Sequence, residues 1–156
     1  MKFNQRMFVS LIQCLAVAAY FPVYFFLGVC ASFLYAALFV IGGIFSIKRV
    51  LTSHNEDLTL KYTVITLSTD LFAIIVLFAN AYEIFGSVIN NGNSIEGLWP
   101  HIYFSVVTFT TLGYGDYLPV ANAQIVAVIQ ALVGYSYFAL LVGVFGSMLY
   151  QRVSKT

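Results

Sequence analysis

The sequence predicts an all-α membrane protein with four transmembrane helices. Of its 156 residues, 61% are hydrophobic and 8% are charged, whereas soluble domains usually carry about 25% charged residues. The mean hydropathy is +0.91. This composition excludes an ordinary soluble domain and also a disordered chain, which needs low hydrophobicity. The net charge of +1, without any basic stripe, argues against a nucleic-acid-binding protein.

Apolar stretches of suitable length give the number of spans. A membrane helix needs about 20 apolar residues, and residues 7–47 contain no charge, which is enough for two spans. Pro22 lies among tyrosines and predicts a tight turn, because proline disfavours helix continuation and tyrosine favours the membrane interface. A Gly-, Asn- and Ser-rich stretch, 86–98, is predicted to be a surface loop. The predicted spans are 5–21, 26–47, 63–85 and 123–150.

The positions of the basic residues predict the topology. All seven Lys and Arg residues lie at the N-terminus, in the loop 48–62 or at the C-terminus. With four spans these regions share one side of the membrane, which the positive-inside rule makes cytoplasmic. We therefore expect a multi-pass protein of the cell membrane with both termini cytoplasmic, in which a hairpin and loop (1–62) precede a second unit (63–156). The alternative of an N-terminal signal peptide is disfavoured, because the apolar runs at this end of the sequence are too long for one.

One apolar stretch is too short to cross the membrane. Residues 99–112 lie between the last two spans, on the outer side, and Pro100 suits the first turn of a helix. We therefore predict a short helix over 99–110 that enters the membrane. Gly113 and Gly115 follow it and permit backbone conformations that other residues avoid. Irregular backbone at membrane depth is tolerated only where it is buried in protein or lines a water-filled path.

The residues after this helix resemble a known signature. Thr111-Leu112-Gly113-Tyr114-Gly115-Asp116 is similar to the selectivity filter of potassium channels, where valine is usual at the position of Leu112. The resemblance covers roughly 63–150 and implies an outer helix, a pore helix, a filter and an inner helix, as in small bacterial ion channels. A bare Gly-Tyr-Gly is common, but the longer motif between two spans is specific. The alternative is a glycine-rich turn between transmembrane helices.

The resemblance and the chemistry of the motif imply how the ion would be held. A dehydrated K⁺ ion needs oxygens in place of its hydration shell, and stacked backbone carbonyls supply them. One chain provides one strand of such a filter, so the working unit is predicted to be a homotetramer surrounded by membrane lipids. The predicted K⁺-coordinating residues are Thr111, Leu112, Gly113, Tyr114 and Gly115, with the Thr111 hydroxyl as an additional ligand.

Further residues are expected to support the filter. The resemblance implies that Asp116 braces the filter from behind, with Tyr103 or Trp99 as the hydrogen-bond donor. Thr108 and Thr110, in and just after the pore-helix stretch, are predicted support residues. An ordinary turn residue that attracts cations is the alternative for Asp116.

Several residues within the spans carry separate expectations. Gly134 lies close to the usual hinge position of the inner helix, and Gly143 is either a second hinge or a point of close helix approach. Asp70 interrupts the third span and should face protein or water, as a proton-sensitive switch or as a packing contact bonded to a neighbour such as Ser68. Asn80 and Gln130 are expected to form hydrogen bonds between helices.

The outer surface also carries ionisable residues. Glu83 and Glu96 are expected to be solvated, and His101 is expected to lie at the interface and face outward, where it could respond to external pH. No catalytic dyad is visible in the spans, so the chain is not expected to be an enzyme or to need a cofactor. The predicted function is passive K⁺ conduction. The alternatives are a weakly selective cation channel and a non-conducting membrane scaffold.

Overall fold

The computed structural model describes residues 60–85 and 87–153 together with scattered positions nearer the N-terminus, namely 15, 18–20, 22, 24, 25, 27, 28, 30, 33, 34, 36–38 and 40–44. The continuous part is mostly helical. Its helices are α1 (Leu60–Phe85), α2 (Leu98–Phe109) and α3 (Asn122–Val153). Its strands are β1 (Ser87–Asn90), β2 (Asn93–Ser94) and β3 (Tyr117–Val120).

Two of these helices are long and apolar enough to cross a membrane. Within the described residues the candidate spans are Thr63–Phe85 in α1 and Asn122–Ser147 in α3. They coincide with the predicted third and fourth spans. By length and composition, these two helices are therefore candidate membrane spans.

Helix α2 is the short helix predicted over 99–110. It begins after Gly97, whose φ of 84° is readily adopted by glycine, and ends where the Thr110 N–H donates to the Val106 carbonyl. Phe104 packs on α1 and α3 at the middle of the helix, and Phe109 does so at its end. Helix α2 is therefore wedged between the two candidate spans.

The prediction of an irregular loop over 86–98 was incomplete, because this stretch contains two strands of a three-stranded antiparallel sheet of order β2-β1-β3. Asn91 and Gly92 form the hairpin turn with φ values of 49° and 82°, which suits the two left-handed positions of a type I′ turn. Strand β1 also pairs with β3, so that Ser87 lies opposite Val120. The strands are too short to show a hydrophobic alternation, which is why the sequence pattern did not reveal them.

The predicted hairpin of spans one and two lies largely outside the described residues. Pro22, where the turn was predicted, is helical, since the fixed φ of proline is compatible with a helix. The positive φ in this part of the described chain is at Gly28 (82°). Several contacts connect this region to α1, among them the hydrogen bonds between Tyr20 and Asn80 and the approach of Gly43 to Asp70.

Candidate functional site

The five predicted K⁺-coordinating residues, Thr111–Gly115, form an irregular and exposed segment between α2 and β3. Positive φ occurs at every second position, with 57° at Thr111, 56° at Gly113 and 79° at Gly115. This alternation lets successive carbonyl groups turn toward one side of the strand. The two glycines adopt it easily, whereas a β-branched residue such as Thr111 rarely does.

Helix α2 holds the start of this segment. The Thr111 N–H donates to the Thr108 carbonyl and the Leu112 N–H donates to the Val107 carbonyl, both at 3.1 Å. Strained backbone of this kind costs about 1–3 kcal/mol and persists only where its surroundings fix it. These two hydrogen bonds provide that restraint at Thr111.

The outer end of the segment is held by Asp116. Its Oδ2 accepts a hydrogen bond of 2.6 Å from the Tyr103 hydroxyl, and its Oδ1 accepts one of 3.1 Å from the Tyr117 N–H. The rings of Tyr103 and Tyr117 lie 5.1 Å apart, centroid to centroid. Of the two donors considered from the sequence, Tyr103 makes this bond. This hydrogen bond links the end of the exposed segment to α2.

The hydrogen bond to Asp116 raises the pKa of Tyr103 to about 12, with smaller contributions from desolvation and from the charge of Asp116. A raised pKa means that the folded state holds the proton more tightly. The contribution of this bond to stability should therefore be complete below pH 10 and be lost as the pH rises from 10 to about 12. The difference in tyrosinate absorbance between the parent protein and Tyr103→Phe should titrate near pH 12. In an Asp116→Asn background the same difference should titrate closer to 10, and an unchanged midpoint there would contradict the assignment.

The two threonines predicted as filter supports lie at the end of α2, and the carbonyl of Thr108 accepts the hydrogen bond from Thr111 described above. The Thr110 hydroxyl donates to the Val106 carbonyl at 2.8 Å, within its own helix. The backbone N–H of Thr110 also donates to the Val106 carbonyl. These hydrogen bonds fix the end of α2 directly before Thr111.

A buried polar cluster lies behind α2, formed by Tyr82, Ser105 and Gln130, each 0% exposed. The Tyr82 hydroxyl donates to Gln130 Oε1 at 2.6 Å, and Gln130 Nε2 donates to Ser105 Oγ at 2.6 Å. Ser105 Oγ in turn donates to the Ile75 carbonyl at 2.7 Å. The interhelical bonds expected for Gln130 are confirmed, as are those of Asn80 with Tyr20. Tyr82 was missed, because a tyrosine in an apolar span does not stand out.

The two predicted hinge glycines have different surroundings. Gly134 is buried in α3 against the backbone of Phe109, and a methyl group there would overlap the Phe109 carbonyl oxygen. Gly143 is exposed, and no atom of the residues described lies within 4 Å of the position of a Cβ atom. Gly134 is therefore required for close packing of α3 on the last turn of α2. This packing requirement holds whether or not α3 bends at Gly134.

The surroundings of Asp70 differ from the predicted packing contact with Ser68. Asp70 is 3% exposed, and neither carboxyl oxygen has a hydrogen-bond partner among the residues that the structure describes. Ser68 is exposed on another face of α1, because two residues on a helix are separated by about 200°. The carboxyl group instead lies against the Cα of Gly43.

Two expectations for the outer surface were also wrong. His101 is 4% exposed, and its Nδ1 lies 2.7 Å from the Gly97 carbonyl oxygen, so that it is buried at the start of α2. Glu83 is half-buried, and its two carboxylate oxygens each accept a hydrogen bond of 3.1 Å from Tyr24. The partner of His101 is four residues away in the chain, whereas that of Glu83 is 59 residues away.

Comparison with known proteins places this arrangement in a family. No curated protein and no solved structure matched the chain significantly. A family model described as "Ion channel" matches residues 64–151, which is more than half of the chain and spans α1, α2, the exposed segment and most of α3. The family is not an enzyme family. The chain therefore belongs to this ion channel family.

Proposed function

We propose that the protein is a potassium-selective channel that conducts K⁺ passively through Thr111–Gly115. The observation that carries the proposal is the Thr-Leu-Gly-Tyr-Gly segment at the end of a short helix between two candidate spans, with positive φ at alternate residues. Carbonyl groups in such a strand supply the oxygen ligands that a dehydrated K⁺ ion needs. The C-terminal end of α2 also directs its partial negative charge toward the segment.

A homotetramer would complete the pore. The spanning window of α3 is only 17% buried within one chain, compared with 50% for α1. The exposed apolar side chains of α3 are then available for contacts with other copies around a central axis. They include Ile125, Val128, Ile129, Leu132, Tyr135, Phe138 and Val142.

Contacts of the N-terminal region support two further spans. Tyr20 is hydrogen-bonded to Asn80 and Tyr24 to Glu83, so this part of the N-terminal region runs along α1 toward the C-terminal end of that helix. Phe33 contacts Phe85 with ring centroids 5.8 Å apart, and Gly43 lies against Asp70. The following part of the region therefore runs along α1 in the opposite direction. This order favours two antiparallel passes, four spans in total and cytoplasmic termini in the cell membrane.

Two alternatives make different predictions. A weakly selective cation channel would keep the same fold and conduct Na⁺ about as well as K⁺. A non-conducting scaffold would show no flux. We propose no enzymatic activity and no resident cofactor. In this proposal K⁺ is the ion that is transported, and it is not a cofactor of the protein.

The test is ion flux through purified protein in liposomes, with a reversal potential measured under bi-ionic K⁺/Na⁺ conditions. Gly113→Asp is expected to reduce K⁺ flux at least tenfold. Gly92→Asp is its matched control, because both glycines have positive φ and open space around a Cβ position, but Gly92 lies in the hairpin turn. A reversal potential near zero would favour the weakly selective channel, and equal flux in the two variants would exclude conduction through the segment.

A further inference from the structure

A carboxyl group lies enclosed inside one of the candidate spans. Asp70 belongs to the window Thr63–Phe85, where ionisable side chains are rare and usually mark a functional site. Its side chain is 3% exposed, and both of its oxygens are buried without a hydrogen-bond partner among the described residues. The hydroxyl of Thr63 is also buried and unpaired in this part of the chain, but it lies seven residues earlier, about 10.5 Å along the helix axis. The two groups therefore cannot pair with each other.

Two segments other than α1 approach the carboxyl group of Asp70. Gly43 of the N-terminal region lies so close to it that a methyl group at Gly43 would overlap the carboxyl oxygens. Tyr137 of α3 donates its hydroxyl proton to the carbonyl of Leu67, one turn before Asp70, and the charge of an ionised Asp70 would act on this hydroxyl. The carboxyl group thus lies where the N-terminal region and α3 both pack on α1.

These surroundings offer no positive charge to an ionised Asp70. The sequence contains no Lys or Arg in 62–151 and no charged residue in 7–47. Lys61 of α1 lies nine residues earlier, about 13.5 Å along the helix axis. Tyr137 is the titratable side chain that faces Asp70 from α3, and its proton is already donated to a backbone carbonyl. A buried carboxylate without a counter-charge or hydrogen bonds is strongly disfavoured, so the packed arrangement fits the protonated carboxyl group.

We propose that Asp70 is a proton-binding site that controls the attachment of the N-terminal region to α1. The protonated carboxyl group packs against Gly43 and allows the close contact between the two segments. When the proton passes to water, the remaining carboxylate needs hydration, and water reaches it only when the segment around Gly43 moves away from α1. The attached state therefore binds one more proton than the detached state. The attachment is strongest at low pH and weakens as the pH rises, by up to about tenfold in the equilibrium constant per pH unit.

Hydrogen–deuterium exchange of the amides around Gly43 measures this attachment in the full-length protein in nanodiscs. After correction for the intrinsic exchange rate, we expect these amides to be at least about tenfold less protected at about pH 8 than at about pH 5. Asp70→Asn has a side chain of nearly the same shape that stays neutral, so its protection should differ by less than about twofold between the two pH values. Asp70→Ala is a second variant that cannot ionise, and it should remove the pH dependence as well.

Infrared spectroscopy detects the proton itself. A protonated carboxyl group has a carbonyl stretching band that a carboxylate lacks. At about pH 6 an exposed aspartate is ionised, so we expect the parent protein to show a band of this kind that is missing from Asp70→Asn. If both proteins have the same band intensity, Asp70 is ionised in the packed state and the proposal is wrong.

Glu96→Gln is the matched control for the exchange experiment. It also removes one carboxyl group, but Glu96 is exposed, so the pH dependence around Gly43 should remain. Protection that does not change with pH in the parent protein would overturn the proposal. The same pH dependence in the parent, Asp70→Asn and Asp70→Ala would also overturn it, because another group would then be responsible. Both measurements are made without ion flux, so their failure is distinguishable from failure of the channel proposal.

Discussion

Replacing Gly134 with alanine is expected to destabilise the protein by about 3 kcal/mol, at the upper end of the cost of overpacking a core. The added methyl group would overlap the carbonyl oxygen of Phe109, which is backbone and cannot rotate aside. Helix α3 would have to move away from the last turn of α2, directly before Thr111. We therefore expect a lower unfolding temperature and at least tenfold less K⁺ flux.

Gly143→Ala is the matched control for this variant. The same substitution is made in the same helix, but no atom of the described part of the chain lies within 4 Å of the new methyl group. Alanine is a better helix former than glycine by about 1 kcal/mol, so stability should be unchanged or slightly higher. If Gly134→Ala unfolded at the parent temperature, the close contact between α3 and Phe109 would be wrong. A loss of flux in Gly143→Ala alone would instead favour Gly143 as a hinge.

Gly43→Ala is expected to have the second largest effect, with a loss of about 1–3 kcal/mol in the free energy of unfolding. A methyl group at this position would overlap the carboxyl group of Asp70. That side chain is short and 3% exposed, so it has little room to turn away. The measurement is the thermal unfolding midpoint in nanodiscs, together with protease sensitivity of the N-terminal region.

Two comparisons make this prediction specific. Gly42→Ala places the same methyl group one residue earlier, where none of the described residues lies within 4 Å of it, and should be nearly neutral. Asp70→Ala removes the overlapping carboxyl group, so it should restore stability when combined with Gly43→Ala. A double variant that is no more stable than Gly43→Ala alone would contradict the contact between these residues.

The sequence was most informative where a segment is long or its motif is specific. The third and fourth spans and helix α2 agree with the structure to within a few residues, because their apolar runs have the lengths that helices in a membrane need. The exposed segment at Thr111 was identified by its glycine spacing. Polar residues in apolar spans, such as Gln130 and Asn80, also indicated interhelical hydrogen bonds before their partners were known.

The remainder depends on contacts between distant parts of the chain. Strand β3 pairs with β1 from about 30 residues earlier, and neither strand is long enough to be recognised alone. The Asn91-Gly92 pair was a signal for a hairpin, but its flanking residues read as a polar loop. The burial of His101 and Glu83 follows from the way in which α1, α2 and the hairpin pack together. The type and sequence position of these two residues do not reveal that packing.

The pairing of β1 with β3 has a mechanical consequence. Strand β1 continues from α1 and strand β3 leads into α3, so their ladder from Ser87–Val120 to Asn90–Tyr117 ties the outer ends of both helices together. The hydrogen bonds of Gln130 add a second fastening two turns further along α3. Beyond Gln130, the Tyr137 hydroxyl donates to the Leu67 carbonyl of α1 and forms a third attachment. A movement of α3 that keeps all three sets of hydrogen bonds is therefore confined to the residues beyond Tyr137, and it leaves the contacts between α3 and the last turn of α2 in place.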